Sequence, residues 1–150
     1  MKFKVKAWLT IDLVLLLFIL DRVLKIYFYY VGAEPVFLSR FISFHTEFNE
    51  GVAFGIHLPT LIIVPLVVAI LALLVYFATK AYQEKNYFVF VVLNLIIAGG
   101  FSNFIDRFKY NYVIDYIDLK YFTVFNVADV MITLGVGLLV LDRLRIFNKK

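Results

Sequence analysis

The sequence predicts an all-α membrane protein: four transmembrane helices in a single domain over residues 1–150, with a small outward-facing β-like, interfacial element between the first two. Three observations carry this expectation. The chain is 63% hydrophobic and 19% aromatic, with a mean hydropathy of +0.91; a soluble domain is nearer half apolar, and such an excess points to membrane helices. The apolar residues gather in four long stretches. The basic residues lie at the ends of those stretches, so the net charge of +4 reads as orientation in a bilayer, and no nucleic-acid partner is expected.

A hydrocarbon core of ~30 Å takes roughly 20 apolar residues of helix. The first span, about 7–30, contains Asp12, Asp21, Arg22 and Lys25. The leading MKFKVK imitates a signal peptide, but the apolar run behind it is too long and lacks a small-residue cleavage site, so a retained span is expected. The second span, about 58–79, is almost purely aliphatic; the third runs over about 87–105 and the fourth over about 125–141. The short KAYQEKN connection is a polar hairpin. The 31–57 connection is long and rich in Phe, and its VFLSRFISFHTEF run favours short strands lying on the membrane interface.

Charge orients the spans. Lys2, Lys4, Lys6, Lys80, Lys85, Arg143, Arg145, Lys149 and Lys150 collect on one side, against Arg40, Arg107, Lys109 and Lys120 on the other. By the positive-inside rule both termini and the 80–86 loop are cytoplasmic, and the 31–57 and 106–124 connections face outward.

Chemistry concentrates on that outer side. A charged group at the bilayer centre costs about 2.5–3.5 kcal/mol on insertion scales, so it needs a partner or a purpose. Asp21, Asp106, Asp115, Asp118 and Asp129 all map near the outer ends of spans, with Asn49, Asn103 and Asn126 beside them. Asp21 and Lys25 are spaced to pair on one helix face, and Arg107 directly follows Asp106, a sequence that suits an ion pair. Taken singly, each acid reads as a cap or an ion-pair member; their clustering at one depth favours shared chemistry.

Other hydrolytic chemistries fall away. There is no cysteine, hence no disulfide, thiolate metal site or thiol nucleophile. Ser39, Ser43 and Ser102 lack a Gly-x-Ser-x-Gly setting, and His45 and His57 lack the His-Glu-x-x-His spacing, so no metal is expected. Carboxylate chemistry remains: two acids share one proton, the ionised one activating water and the neutral one hydrogen-bonding the scissile carbonyl. A proton-coupled transporter would spread its acids through the membrane depth and show repeats; a non-enzymatic scaffold would use them as caps and pairs.

Five blocks, in order, then carry a resemblance to the lipoprotein (type II) signal peptidases. They are Asp21-Arg22-Val23-Leu24-Lys25, Asn49-Glu50-Gly51-Val52-Ala53-Phe54, Gly99-Gly100-Phe101-Ser102-Asn103-Phe104-Ile105-Asp106-Arg107, Val113-Ile114-Asp115-Tyr116-Ile117 and Phe125-Asn126-Val127-Ala128-Asp129. The fourth departs from the family pattern Val-x-Asp-Phe-Ile by carrying Tyr116. The resemblance implies an aspartic endopeptidase of the bacterial inner membrane that needs no cofactor. Such an enzyme cuts prolipoproteins before a diacylglyceryl-modified cysteine, works against membrane lipid as a monomer, and is sensitive to globomycin. It implies Asp115 and Asp129 as the catalytic pair, with Asp21, Lys25, Asn49, Gly51, Asn103, Asp106, Arg107 and Asn126 supporting and Phe54 in an outer-loop element over the substrate. Asp118 and Asp106 are the rival acids; Ile117 keeps the pattern's register for Asp115.

Overall fold

The computed structural model describes residues 3–32, 35–51 and 59–147. Its elements are α1 (Phe3–Val31), β1 (Val36–Phe37), β2 (Ile42–Asn49), α2 (Thr60–Gln83), α3 (Tyr87–Tyr110), β3 (Val113–Leu119) and α4 (Val127–Phe147). Helix α3 packs against the other three helices and forms the centre. It starts where the Asn86 side chain accepts a hydrogen bond from the Val89 N–H, and stops where Asn111 takes a left-handed conformation (φ 67°) and its N–H returns to the Arg107 carbonyl. These are an N-cap and an αL C-cap.

Among the described residues, Leu61–Gln83 and Tyr87–Tyr110 are long and apolar enough to cross a membrane. Helices α1 and α4 are also long, but the charges within them keep length and composition from selecting them, so their crossing remains an expectation. Large apolar side chains point outward on α1, α2 and α4, among them Leu16, Leu61, Leu73, Leu134 and Leu144. A water-facing surface does not carry apolar patches on this scale, whereas lipid accommodates them.

Helices α2 and α4 run antiparallel to α3, whereas α1 runs parallel to it. Near one end Thr10 of α1 hydrogen-bonds Tyr87 of α3; near the other Lys25 of α1 meets Asn103 of α3, which meets Asp129 of α4. Helices α3 and α4 approach closely at Gly99, where a Cβ would stand 2.6 Å from the Ala128 carbonyl oxygen. Only glycine permits that approach, and it lowers the start of α4 onto the part of α3 that carries Asn103.

The β structure is broader than the sequence predicts. Strands β1 and β2 do lie between the first two helices, but the third strand comes from the 106–124 connection, and the antiparallel order is β1-β2-β3. The VIDYIDL stretch contains two aspartates, which are disfavoured in strands, and packing on both sides overrides that preference: residues 113–116 are buried. Helix α3 also runs past the predicted end at 105, so Asp106 and Arg107 are helical residues, not loop residues. The β2–β3 register shifts by one residue between Phe44 and Glu47. This bulge puts Asn49 opposite Val113, on the same face as Asp115; without it Phe48 would take that face.

Candidate active site

The first layer of the site is a compensated set of charges. Asp21, Lys25 and Asp106 are each 0% exposed. The Lys25 Nζ lies 2.7 Å from Asp106 Oδ2 and 3.3 Å from Asp21 Oδ2, while Arg22 Nη1 lies 2.6 Å from Asp106 Oδ1. Arg22 also donates to the Ser102 carbonyl at 3.0 Å, and the Ser102 hydroxyl donates to Asp21 Oδ2 at 2.6 Å. Two cations face two carboxylates. Buried ions persist only when paired and hydrogen-bonded in this way.

From this base two asparagines lead to the outer acids. Lys25 donates to Asn103 Oδ1 at 2.6 Å, which fixes the orientation of that amide; its Nδ2 then donates to Asp129 Oδ1 at 2.8 Å. Asn126 caps α4: its Oδ1 accepts from the Asp129 N–H at 2.8 Å, and its own N–H donates to Asp129 Oδ2 at 3.2 Å. This reciprocal capping box holds Asp129 at the third position of the helix. The Asn126 Nδ2 donates in turn to Asp115 Oδ1 at 2.6 Å. One fully buried amide therefore bridges the two acids.

Asp115 sits on β3 and is 2% exposed. Its second oxygen accepts from Asn49 Nδ2 at 3.0 Å, and Asn49 Oδ1 accepts from the Gly51 N–H at 3.1 Å. Arg107 Nη2 donates to the Gly51 carbonyl at 2.6 Å, which ties the segment after β2 to α3. Burial, followed by the like charge of Asp129, pushes the Asp115 carboxyl up to about 7, although the Asn49 and Asn126 donors and Lys25 pull the other way. Near neutral pH such a group exchanges a proton readily, as an acid–base group must.

Asp118 faces elsewhere. Three residues along a strand reverse the face, and Asp118 accepts from the Ser43 hydroxyl at 2.8 Å and lies 3.7 Å from His45 Nδ1. The expected Asp106–Arg107 ion pair is corrected too. Neighbours on a helix point in different directions; Asp106 turns inward to Lys25 and Arg22, while Arg107 reaches Gly51.

Of the residues singled out in the sequence, Asp21, Lys25, Asn49, Gly51, Asn103, Asp106, Arg107, Asn126, Asp115 and Asp129 come together in one connected network. Phe54 and His57 lie outside the described residues. Arg22, Ser102 and Tyr116 join the network although the sequence reading names none of them as a site residue. Tyr116 is fully buried, donates to Asp21 Oδ1 at 2.9 Å and accepts from the Val127 N–H at 3.1 Å. Burial and the nearby Asp21 charge raise its phenol, so it stays a neutral donor. For Arg22 the available signal was a second cation beside an i, i+4 pair within a span; for Tyr116 it was the hydroxyl standing where the resembled pattern has Phe.

The Signal peptidase (SPase) II family profile matches residues 13–145. The chain is similar to the lipoprotein signal peptidase of Clostridium tetani, with 34% identity over 89% of this chain and 90% of that one. It is also similar to the lipoprotein signal peptidase of Halothermothrix orenii, with 37% identity over 85% and 90% respectively. A solved bacterial membrane enzyme superposes with a TM-score of 0.87 at 30% identity, covering 94% of this chain and 90% of the other. A second gives 0.77 at 28% identity over 90% and 92%.

Proposed function

The chain belongs to the signal peptidase II family, and on that footing we propose that it is an aspartic endopeptidase of the bacterial inner membrane. It removes signal peptides from diacylglyceryl-modified prolipoproteins, cutting before the lipidated cysteine. The observation that carries the reading is the bridge through Asn126 between Asp115 and Asp129, two acids set on different elements with one amide holding both.

In this mechanism Asp129 is the ionised partner and Asp115 carries the shared proton, the assignment favoured by the lift of Asp115 to about 7. Asp129 takes a proton from the attacking water as its oxygen bonds to the scissile carbonyl carbon. The Asp115 O–H donates to the carbonyl oxygen as negative charge develops there. When the intermediate collapses, the C–N bond breaks and the proton held by Asp129 passes to the leaving amine nitrogen. The substrate's acyl chains remain in lipid and present the bond at the depth of the pair, supplying orientation that a soluble protease draws from a cleft. Four long apolar stretches support the four spans, and the charge distribution along the chain supports cytoplasmic termini and an outward site.

The test is processing of a diacylated prolipoprotein by purified protein, with and without globomycin. Asp115→Asn and Asp129→Asn fold and fail to cleave, and globomycin blocks the unmodified enzyme. Full turnover by either variant rules out the pair.

A further inference from the structure

The Tyr116 hydroxyl ties together the three elements that flank the acid pair. Successive strand residues point to opposite faces, so while Asp115 turns to Asn126, the ring of Tyr116 turns to α1. There it stacks on Phe28, with ring centroids 5.1 Å apart and planes 6° from parallel. Its hydroxyl donates to Asp21 Oδ1 at 2.9 Å and accepts from the Val127 N–H at 3.1 Å, and the same Asp21 oxygen takes the Ala128 N–H at 3.1 Å. The Tyr116 main-chain N–H donates to the Phe125 carbonyl at 3.1 Å. A helix begins with N–H groups that have no partner inside it. Here two of them, at Val127 and Ala128, are met by Tyr116 and Asp21.

We propose that the Tyr116 hydroxyl is a positioning group for this reaction: it holds the first turn of α4 against α1 and β3, and so keeps Asp129 at its working distance from Asp115. The inference rests on the Asp115–Asp129 reading above. The side chain next to the acid and the main chain two residues before its partner are joined through one oxygen atom. The Asn126 capping box holds Asp129 within its own helix turn; Tyr116 holds that turn against the strand bearing Asp115. Phenylalanine, the residue of the resembled pattern, keeps the ring contact and loses both hydrogen bonds.

The test is Tyr116→Phe, assayed on a diacylated prolipoprotein per folded molecule in detergent, with kcat, KM and the pH profile measured beside Asp129→Asn. The expected result is a kcat lowered about 10-fold with KM within about twofold, the size of loss that a small misplacement of reacting groups produces. The alkaline limb also shifts to lower pH, because a more distant Asp129 charge lifts Asp115 less. Unchanged kcat and pH profile, or a loss confined to KM or to the folded fraction, overturns the proposal. Val127→Pro removes the same hydrogen bond from the other side, at the first helical position where proline is well accommodated, and takes over as the deciding variant if Tyr116→Phe does not fold. The same kcat loss and limb shift support the proposal; an unaltered enzyme overturns it. An active Asp129→Asn removes the acid-pair reading itself, whereas an inactive Asp129→Asn beside a fully active Tyr116→Phe removes only the role of Tyr116.

Discussion

Asn126 and Asp129 cap one another across the first turn of α4, the Asp129 N–H donating to Asn126 Oδ1 at 2.8 Å and the Asn126 N–H to Asp129 Oδ2 at 3.2 Å. A device that ordinarily starts a helix here holds a candidate catalytic acid, and its spare amide hydrogen serves Asp115. Asn126→Ala removes the cap and the bridge. We expect a stability loss of about 1–2 kcal/mol and a turnover loss of about 100-fold, measured by thermal unfolding in detergent and by prolipoprotein cleavage. Asn126→Asp keeps the cap acceptor but sets a buried carboxylate oxygen against Asp115 Oδ1, so stability should fall by more than in Asn126→Ala and turnover stays low.

The pH dependence follows from Asp115, lifted from 3.8 to about 7 chiefly by burial and then by the Asp129 charge. Above about 7 the pair loses its shared proton, so the alkaline limb of activity should lie near neutrality. Stability has the same sign. A carboxyl raised on folding contributes fully below its unfolded value, and that contribution is lost as pH rises through the folded one. Asp115→Asn is therefore inactive, and its stability relative to the parent rises between about pH 4 and 7, by on the order of 4 kcal/mol at the upper end. Melting temperatures of both proteins across that range check it; a constant difference would contradict the assigned shift.

Lys25 neutralises two buried carboxylates at 2.7 and 3.3 Å. Lys25→Met leaves Asp21 and Asp106 with Arg22 alone, and breaking a buried pair from one side costs about 3–5 kcal/mol. The expected outcome is a steep fall in folded protein in the membrane. The double variant Lys25→Met/Asp106→Asn restores the charge balance, Arg22 against Asp21, and should recover part of the folded yield. Additive losses in the two variants would argue against charge pairing as the cause.

Asp118 tests how strictly the strand separates its two acids. Its side chain is 30% exposed and bonded to Ser43 on the face away from Asp115. Asp118→Asn should leave turnover within about twofold, because a partly exposed interaction of this kind contributes about 0–1 kcal/mol. Cleavage kinetics beside Asp115→Asn decide the matter; equal losses in the two variants would return Asp118 to the reacting pair.

Much of the fold is legible in the chain because its main signals are local. Apolar runs give the helices, and the β-branched and aromatic residues before Asn49 give β2. The i, i+4 pairing of Asp21 with Lys25 follows from helix geometry alone. The third strand was less legible, since VIDYIDL carries two aspartates and becomes a strand through the β2 edge and the burial around it. Adjacency misled at Asp106–Arg107, where a hundred-degree turn between helix neighbours sends one side chain inward to α1 and the other to the segment after β2.

By itself the sequence determined the membrane character, the apolar stretches, the one-sided placement of the acids and, through five ordered blocks, the family. Only the tertiary structure decided which acid meets which amide: that Asn126 joins Asp115 to Asp129, that Arg22 shares Asp106 with Lys25, that a one-residue bulge turns Asn49 toward Asp115, and that Tyr116 reaches from β3 to α1 and α4. Helix and strand periodicity tell which way a side chain leaves its own element. What it meets depends on the approach and register of elements distant in sequence, here on α3 and α4 closing at Gly99 and on a bulge between Phe44 and Glu47.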